Sequence, residues 1–198
     1  MTDRLAPPTF DPADAAAAAA RFAATAPADV SYALVDSPVG TLVAASTERG
    51  LACLSYEDHH GGVDGVLETL AARISPRILE ARGRLDPVRR ELEEYFERRR
   101  TAFDVPIDWA LVTPFGRRVL QATASIPFGE VSTYGQIAAR AGNPKAARAT
   151  GNALGSNPMP IVVPCHRVLH TGGQGIGNYT GGVHRKEALL RLEGVLLG

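Results

Sequence analysis

Three residues, Gly142-Asn143-Pro144, separate two short helical runs and constrain the C-terminal half more tightly than any other feature. Upstream, Thr133 and Gln136 stand at capping-box spacing and predict a helix through Ala141. Gly142 is placed to stop that helix in a left-handed cap. Asn143 is expected to cap the next helix, with Pro144 in its first turn and Gly155 at its end. Two short helices around a glycine turn predict a helix-turn-helix. The second helix carries small side chains around one long cation, Arg148. Such a surface either presses its backbone close to nucleic acid or packs inside the protein.

Charge divides along the same line. Residues 114–198 hold nine Lys and Arg against three Asp and Glu; the remaining residues hold twelve against eighteen. A basic module thus follows an acidic one, and the basic one is the candidate for an anionic partner, unless the partition is accidental. Two cysteines, Cys53 and Cys165, make no disulfide framework and fit a reducing cytoplasm. No apolar run reaches the ~20 residues of a membrane helix, so no membrane partner is expected.

The N-terminal half reads differently. Residues 1–28 form an Ala/Pro-rich extension in which the alanine run 15–20 predicts a helix. Val30 to Tyr56 predicts three antiparallel strands, broken at Ser37-Pro38-Val39-Gly40 and at Glu48-Arg49-Gly50. Val63 to Ile74 and Pro87 to Arg98 have helical spacing, and Ile78 to Ala81 is a candidate strand. The expected domains are 29–108 and 109–198, with a helix from Phe115 to Ser125 opening the second.

The chemistry gathers downstream. Ile161-Val162-Val163, bracketed by Pro160 and Pro164, predicts a buried extended stretch that delivers Cys165 and His166 into a glycine-rich loop. Glycines let a planar ligand approach the backbone. A thiol beside His166 and Arg167 sits where a thiolate could be favoured, although a lone Cys-His pair, without its surroundings, fits a buried, inert cysteine better. Adjacent residues point different ways, so His166 is expected to reach Cys165 through a water. Arg167 is expected to tie the loop to the protein, and His170 and His184 to be solvated.

Pro164-Cys165-His166-Arg167-Val168 resembles the active-site signature of the O6-alkylguanine-DNA alkyltransferases. The likeness continues through Phe128-Gly129-Glu130-Val131, Tyr134, residues 143–149, Asn157-Pro158, residues 177–182, Lys186, Leu189-Leu190 and Glu193-Gly194. It covers nearly all of 114–194, whereas Ser37-Pro38-Val39-Gly40 is a less specific match. The resemblance implies an α/β (α+β) fold. A ribonuclease-H-like domain with a small antiparallel sheet plus helices would precede a mainly helical, winged helix-turn-helix-like domain.

It also implies roles. Cys165 is the alkyl acceptor, and His166 and Glu193 are its water-mediated relay. Asn157 orders the turn between recognition helix and active-site strand. Arg148 is the finger that fills the stack when the damaged nucleotide is flipped out. Tyr134 stands near the flipped phosphate and guanine N3, with Thr133, Ala147 and Gly151 as further DNA contacts. Val168, Pro160, Leu154, Tyr179, Thr180 and Asn178 line the substrate pocket. The implied partner is double-stranded DNA carrying O6-alkylguanine, with O4-alkylthymine as a further candidate, approached from the minor groove. The reaction would be single-turnover, by a cytoplasmic monomer that needs no cofactor; cooperative assembly on DNA is left open. Some family members hold structural zinc, but Thr47 and Ala52 replace two of those ligands, and Cys53 with His59 and His60 is a poor substitute. The stretch between Arg167 and Tyr179 is about one residue longer than in some members. A sensor of alkylated guanine and a Cys-His hydrolase are the competing readings; Cys165 argues against the first, and the helix-turn-helix with Arg148 against the second.

Overall fold

The computed structural model describes residues 28–59, 61–171 and 175–196. The alanine run 15–20, His60 and the loop glycines Gly172 and Gly173 lie outside the described residues.

Strand β2 (Leu42–Thr47) explains the architecture of the first half. Leu42 and Ala44 enter the main core, while Val43 and Ala45 enter a smaller one. That alternation is the pleat of a strand buried on both faces. β1 (Val30–Val35) and β3 (Gly50–Tyr56) flank it in antiparallel register, as the turn signals predict. β4 (Ile78–Glu80) forms too, but pairs parallel to β1, so the sheet is mixed, in the order β3-β2-β1-β4. The reason is the intervening helix α1 (Gly62–Arg73), a crossover that returns the chain in its original direction.

β3 contains an irregularity that matters for the site. Ala45 pairs with Cys53 and Ser46 with Leu51, so Ala52 has no partner of its own. This bulge switches the parity of the strand. Leu51, Leu54 and Tyr56 therefore share the main core, and Cys53 faces the smaller one beneath Val66 and Leu70 of α1. The free edge of β3 is covered. Leu51 N donates to Pro106 O at 2.8 Å and Asp108 N to Leu51 O at 2.9 Å, while Leu54 N donates to Pro158 O at 2.7 Å. The first pair gives the Phe103–Trp109 linker its place; the last joins the sheet to the other half.

Helix α2 (Asp86–Phe96) buries Val88, Leu92 and Tyr95 in the main core. The second half begins with α3 (Pro114–Ala124), whose N-cap Thr113 accepts from Gly116 N at 3.1 Å. After β5 (Ser132–Thr133) comes α4 (Tyr134–Arg140) with its full capping box. Gln136 N donates to Thr133 Oγ1 at 3.3 Å, and Thr133 N to Gln136 Oε1 at 2.9 Å. Gly142 takes a positive φ of 85°, the left-handed stop that its position predicts. The next helix, α5 (Ala147–Gly155), starts later than expected. Asn143 does not cap it; residues 143–146 close a turn, with Ala146 N donating to Asn143 O at 3.0 Å, and no side chain caps Ala146. Pro144 restrains Asn143 from helical geometry, so the helix begins only after that turn. β6 (Val168–Leu169) pairs parallel with β5, and α6 (Val183–Leu192) follows. No helix among the described residues is long and apolar enough to cross a membrane.

The glycine at the start of β3 has no substitute. Gly50 adopts φ 127°, and an added Cβ would lie 2.1 Å from Pro106 O. Gly50→Ala is expected to cost at least about 2 kcal/mol of stability, combining backbone strain with loss of the edge contact. Denaturant unfolding checks this, and an unchanged midpoint would contradict it.

Candidate active site

The chain from Asn157 to Arg167 is wound, not extended, and becomes a strand only at Val168. Val162 N donates to Pro160 O at 2.9 Å, Val163 N to Met159 O at 2.8 Å and Cys165 N to Val163 O at 2.8 Å. Ile161 sits at φ 74°, an uncommon conformation for a β-branched residue. The expected strand gives way because prolines at both ends leave few amides for a ladder, and successive turns satisfy the buried carbonyls locally. The apolar side chains are nonetheless buried as predicted.

Asn157 holds this winding together. Its Oδ1 accepts from Met159 N at 3.0 Å, and its Nδ2 donates to Val163 O at 2.9 Å and to Cys165 Sγ at 3.2 Å. Cys165 opens a short 3-10 turn (Cys165–Arg167) and retains 6% exposure. That exposure is into a cavity of about 560 Å³. Burial pushes the Cys165 thiol above its ordinary value; the Asn157 hydrogen bond and the Lys186 charge oppose that rise without cancelling it. The protonated thiol is therefore the resting form, and the sequence expectation of a favoured thiolate is not met. Lys186 is buried, donates to Val168 O at 2.7 Å and is itself depressed by burial to about 8.

Behind the thiol lies a buried polar cluster around Glu193. One oxygen, Oε1, accepts from His166 Nε2 at 2.9 Å, Arg167 Nη2 at 2.8 Å and Tyr95 Oη at 2.7 Å. The other, Oε2, accepts from Arg167 Nε at 2.9 Å and Gly129 N at 3.3 Å. Burial raises the Glu193 carboxyl, but the His166 and Arg167 bonds outweigh it and hold it at about 2. Burial lowers His166 against the pull of the same carboxylate. An ionised carboxylate only accepts, so neutral His166 carries its proton on Nε2 and leaves Nδ1 as a bare acceptor. Nδ1 is buried and has no hydrogen-bond partner among the described residues. Arg167, which also donates to Ile126 O at 2.6 Å, is the tie that the sequence predicts.

The cavity brings together Cys165, Tyr134, Ala147, Arg148, Gly151 and Leu154 with Asn178, Tyr179 and Thr180 from the glycine-rich loop. Arg148 is exposed at its mouth, with no hydrogen bond or ion pair among the described residues. Thr180 Oγ1 donates to Gly155 O at 2.8 Å and stitches the loop to the end of α5. Pro160 and Val168 do not line the cavity. Val168 is fully buried in the core, and Pro160 faces a second, smaller cavity beside Cys53, because the wound backbone turns both away. Thr133, expected as a DNA contact and not as a pocket residue, caps α4 outside the cavity. His170 is exposed and stacks 5.1 Å from Tyr134; His184 is exposed in the first turn of α6 instead of a loop. Cys53 packs inside β3, where burial pushes it up to about 12.

Sequence reasoning missed Asn152, Gly155 and His170 as lining residues, and Tyr95 and Tyr56 as partners from the first half. The helical spacing of Arg148, Asn152 and Gly155 places them on one face and was a usable signal; nothing local marks either tyrosine.

A helix-turn-helix half whose second helix walls a cavity reached by one thiol, backed by a mixed-sheet half, defines the class as a nucleic-acid-binding architecture with a candidate nucleophilic cysteine. Residues 30–109 match the 6-O-methylguanine DNA methyltransferase ribonuclease-like domain, and residues 114–195 match the DNA binding domain of the same family. The methylated-DNA–protein-cysteine methyltransferase of Methanosarcina acetivorans is 37% identical over 163 residues, 82% of this chain and 97% of the relative. Its namesake in Mycobacterium tuberculosis is 39% identical over 164 residues, covering 83% and 92%. The crystal structure of Mycobacterium tuberculosis OGT in complex with DNA superposes with a TM-score of 0.71 at 37% identity, covering 83% of this chain and 93% of that one. The chain belongs to the 6-O-methylguanine DNA methyltransferase family.

Glu193→Gln is expected to cost about 3–5 kcal/mol at pH 7, because it leaves Arg167 buried without its charge partner. The folded carboxyl titrates below its ordinary value of 4.5, so its stabilisation is complete above that value and is lost as pH falls toward about 2. The gap between the two proteins should therefore narrow on acidification. Urea unfolding of both from pH 7 downward checks the direction; a gap that widens would contradict it.

Proposed function

We propose that this protein repairs DNA by moving an alkyl group from O6 of guanine to Sγ of Cys165. The observation that carries this reading is Cys165 itself, facing a cavity of about 560 Å³ between the recognition helix and the glycine-rich loop. A thiolate is a strong nucleophile toward saturated carbon. The Cys165 proton passes through a water to His166 Nδ1, and Glu193 supports the imidazolium that forms. The S–C bond forms as the C–O6 bond breaks, and its electron pair leaves with guanine. The phenol of Tyr134 and backbone N–H groups near Thr180 support that charge before guanine is reprotonated. The thioether has no easy leaving group, so each molecule reacts once and needs no cofactor.

The substrate atom lies inside a duplex, and extrusion costs a few kcal/mol. Helix α5 is suited to the minor groove because Ala147, Ala149, Gly151 and Gly155 present almost no side chain outward, while Arg148, unpaired among the described residues, can occupy the vacated stack. Ala147, Gly151 and Thr133 are the accompanying DNA contacts. One chain acts per lesion, in a reducing cytoplasm that keeps Cys165 free.

Intact-protein mass after incubation with duplex O6-methylguanine should rise by one methyl group, located on the Cys165 peptide and lost in Cys165→Ser. Binding without a mass change would defeat the transfer. Arg148→Ala should slow repair of duplex about tenfold or more while sparing transfer from free O6-benzylguanine, which needs no flipping. Equal loss on both substrates would remove the finger assignment.

A further inference from the structure

We infer that Tyr56, on β3 of the ribonuclease-like domain, is a positioning residue for alkyl transfer, acting through Tyr179 on the loop that walls the cavity. The inference rests on the repair reading above. Tyr56 is almost fully buried, and its hydroxyl lies 3.0 Å from that of Tyr179. The two rings meet edge to face at 6.2 Å. Tyr179 lines the same cavity as Cys165.

The loop is seated on the Tyr56 ring. A Cβ on Gly181 would lie 2.2 Å from Tyr56 Cε2, so only glycine lets the backbone pass so close. Arg185 covers the ring with its guanidinium carbon 4.3 Å from the centroid. The same guanidinium donates to Gly181 O at 2.9 Å in the loop, and to Val39 O at 2.7 Å and Asp58 Oδ2 at 2.8 Å in the first domain. One cation thus bolts the loop to both the β1–β2 turn and the end of β3.

The arrangement also sets a proton. A cation on the ring face makes the Tyr56 hydroxyl the better donor of the pair. With Tyr56 donating, the Tyr179 O–H is left to turn toward the cavity. A flipped base then meets a wall whose position and donor direction are fixed from the other domain, which is pre-organisation of the reacting geometry.

The test is single-turnover kinetics of the full chain carrying Tyr56→Phe, which removes one oxygen and keeps the ring. The maximum transfer rate at saturating methylated duplex should fall about tenfold, with transfer from free O6-benzylguanine falling in proportion, while affinity for undamaged duplex stays within about twofold. That split separates positioning from general loss of structure, which would lower affinity and thermal midpoint together with rate. A wild-type transfer rate overturns the proposal. Should Tyr56→Phe not fold, Asp58→Asn decides, since it trims only the exposed end of the Arg185 brace. A rate about threefold lower supports the proposal, and an unchanged rate overturns it. No methyl transfer by the unsubstituted protein would instead sink the repair reading and this inference with it.

Discussion

The carboxylate of Glu193 is the interaction on which the site depends. It is buried, yet five donors from three separate parts of the chain converge on its two oxygens. A charge in that position is tolerable only when fully paired and hydrogen bonded. The consequence is geometric: α2, the turn before β5, the Cys165–Arg167 turn and the end of α6 must all be in place together. The chemistry inherits this. The direction of the His166 tautomer, and therefore the acceptor available near Cys165, follows from an acid 27 residues further along the chain.

The second constraint is the way the two halves share one core. The main apolar cluster contains Leu42 and Leu54 from the sheet, Val119 and Ile137 from the helical half and Ile161 beside the nucleophile. The hydrogen bond from Leu54 N to Pro158 O extends the sheet's edge into the winding that presents Cys165. The first half is therefore structural support for the thiol, through Tyr95, Tyr56 and the Leu54 amide, while the residues that line the cavity come from the second half.

Much of this was legible in the residues, because the informative signals were local. The capping box at Thr133 and the stop at Gly142 act within one turn of chain, and the strands between Val30 and Tyr56 follow from alternation and turn residues. The cavity around Cys165, Arg148 and Tyr179 was readable through family likeness. Features that depend on distant partners were not. The winding of Ile161 to Val163 looks like a strand by composition, and only the competition for hydrogen bonds between two prolines decides otherwise. Pro160 and Val168 turn from the cavity for the same reason. Asn143 looks like a cap, but the proline after it closes a turn first. Tyr95 and Tyr56 read as ordinary core aromatics; their hydroxyls acquire meaning only through Glu193 and Tyr179, which lie about a hundred residues away.

The unpaired Ala52 in β3 carries a consequence for how this scaffold tolerates change in length. Upstream of it, Leu51 is registered against the linker; downstream, Leu54 is registered against the nucleophile's own segment. Removing one residue there would restore regular pairing and at the same time rotate one end of the strand to the opposite face. The strand is thus a fixed ruler between two anchors, and natural variation in length must be absorbed in connections that carry neither of them.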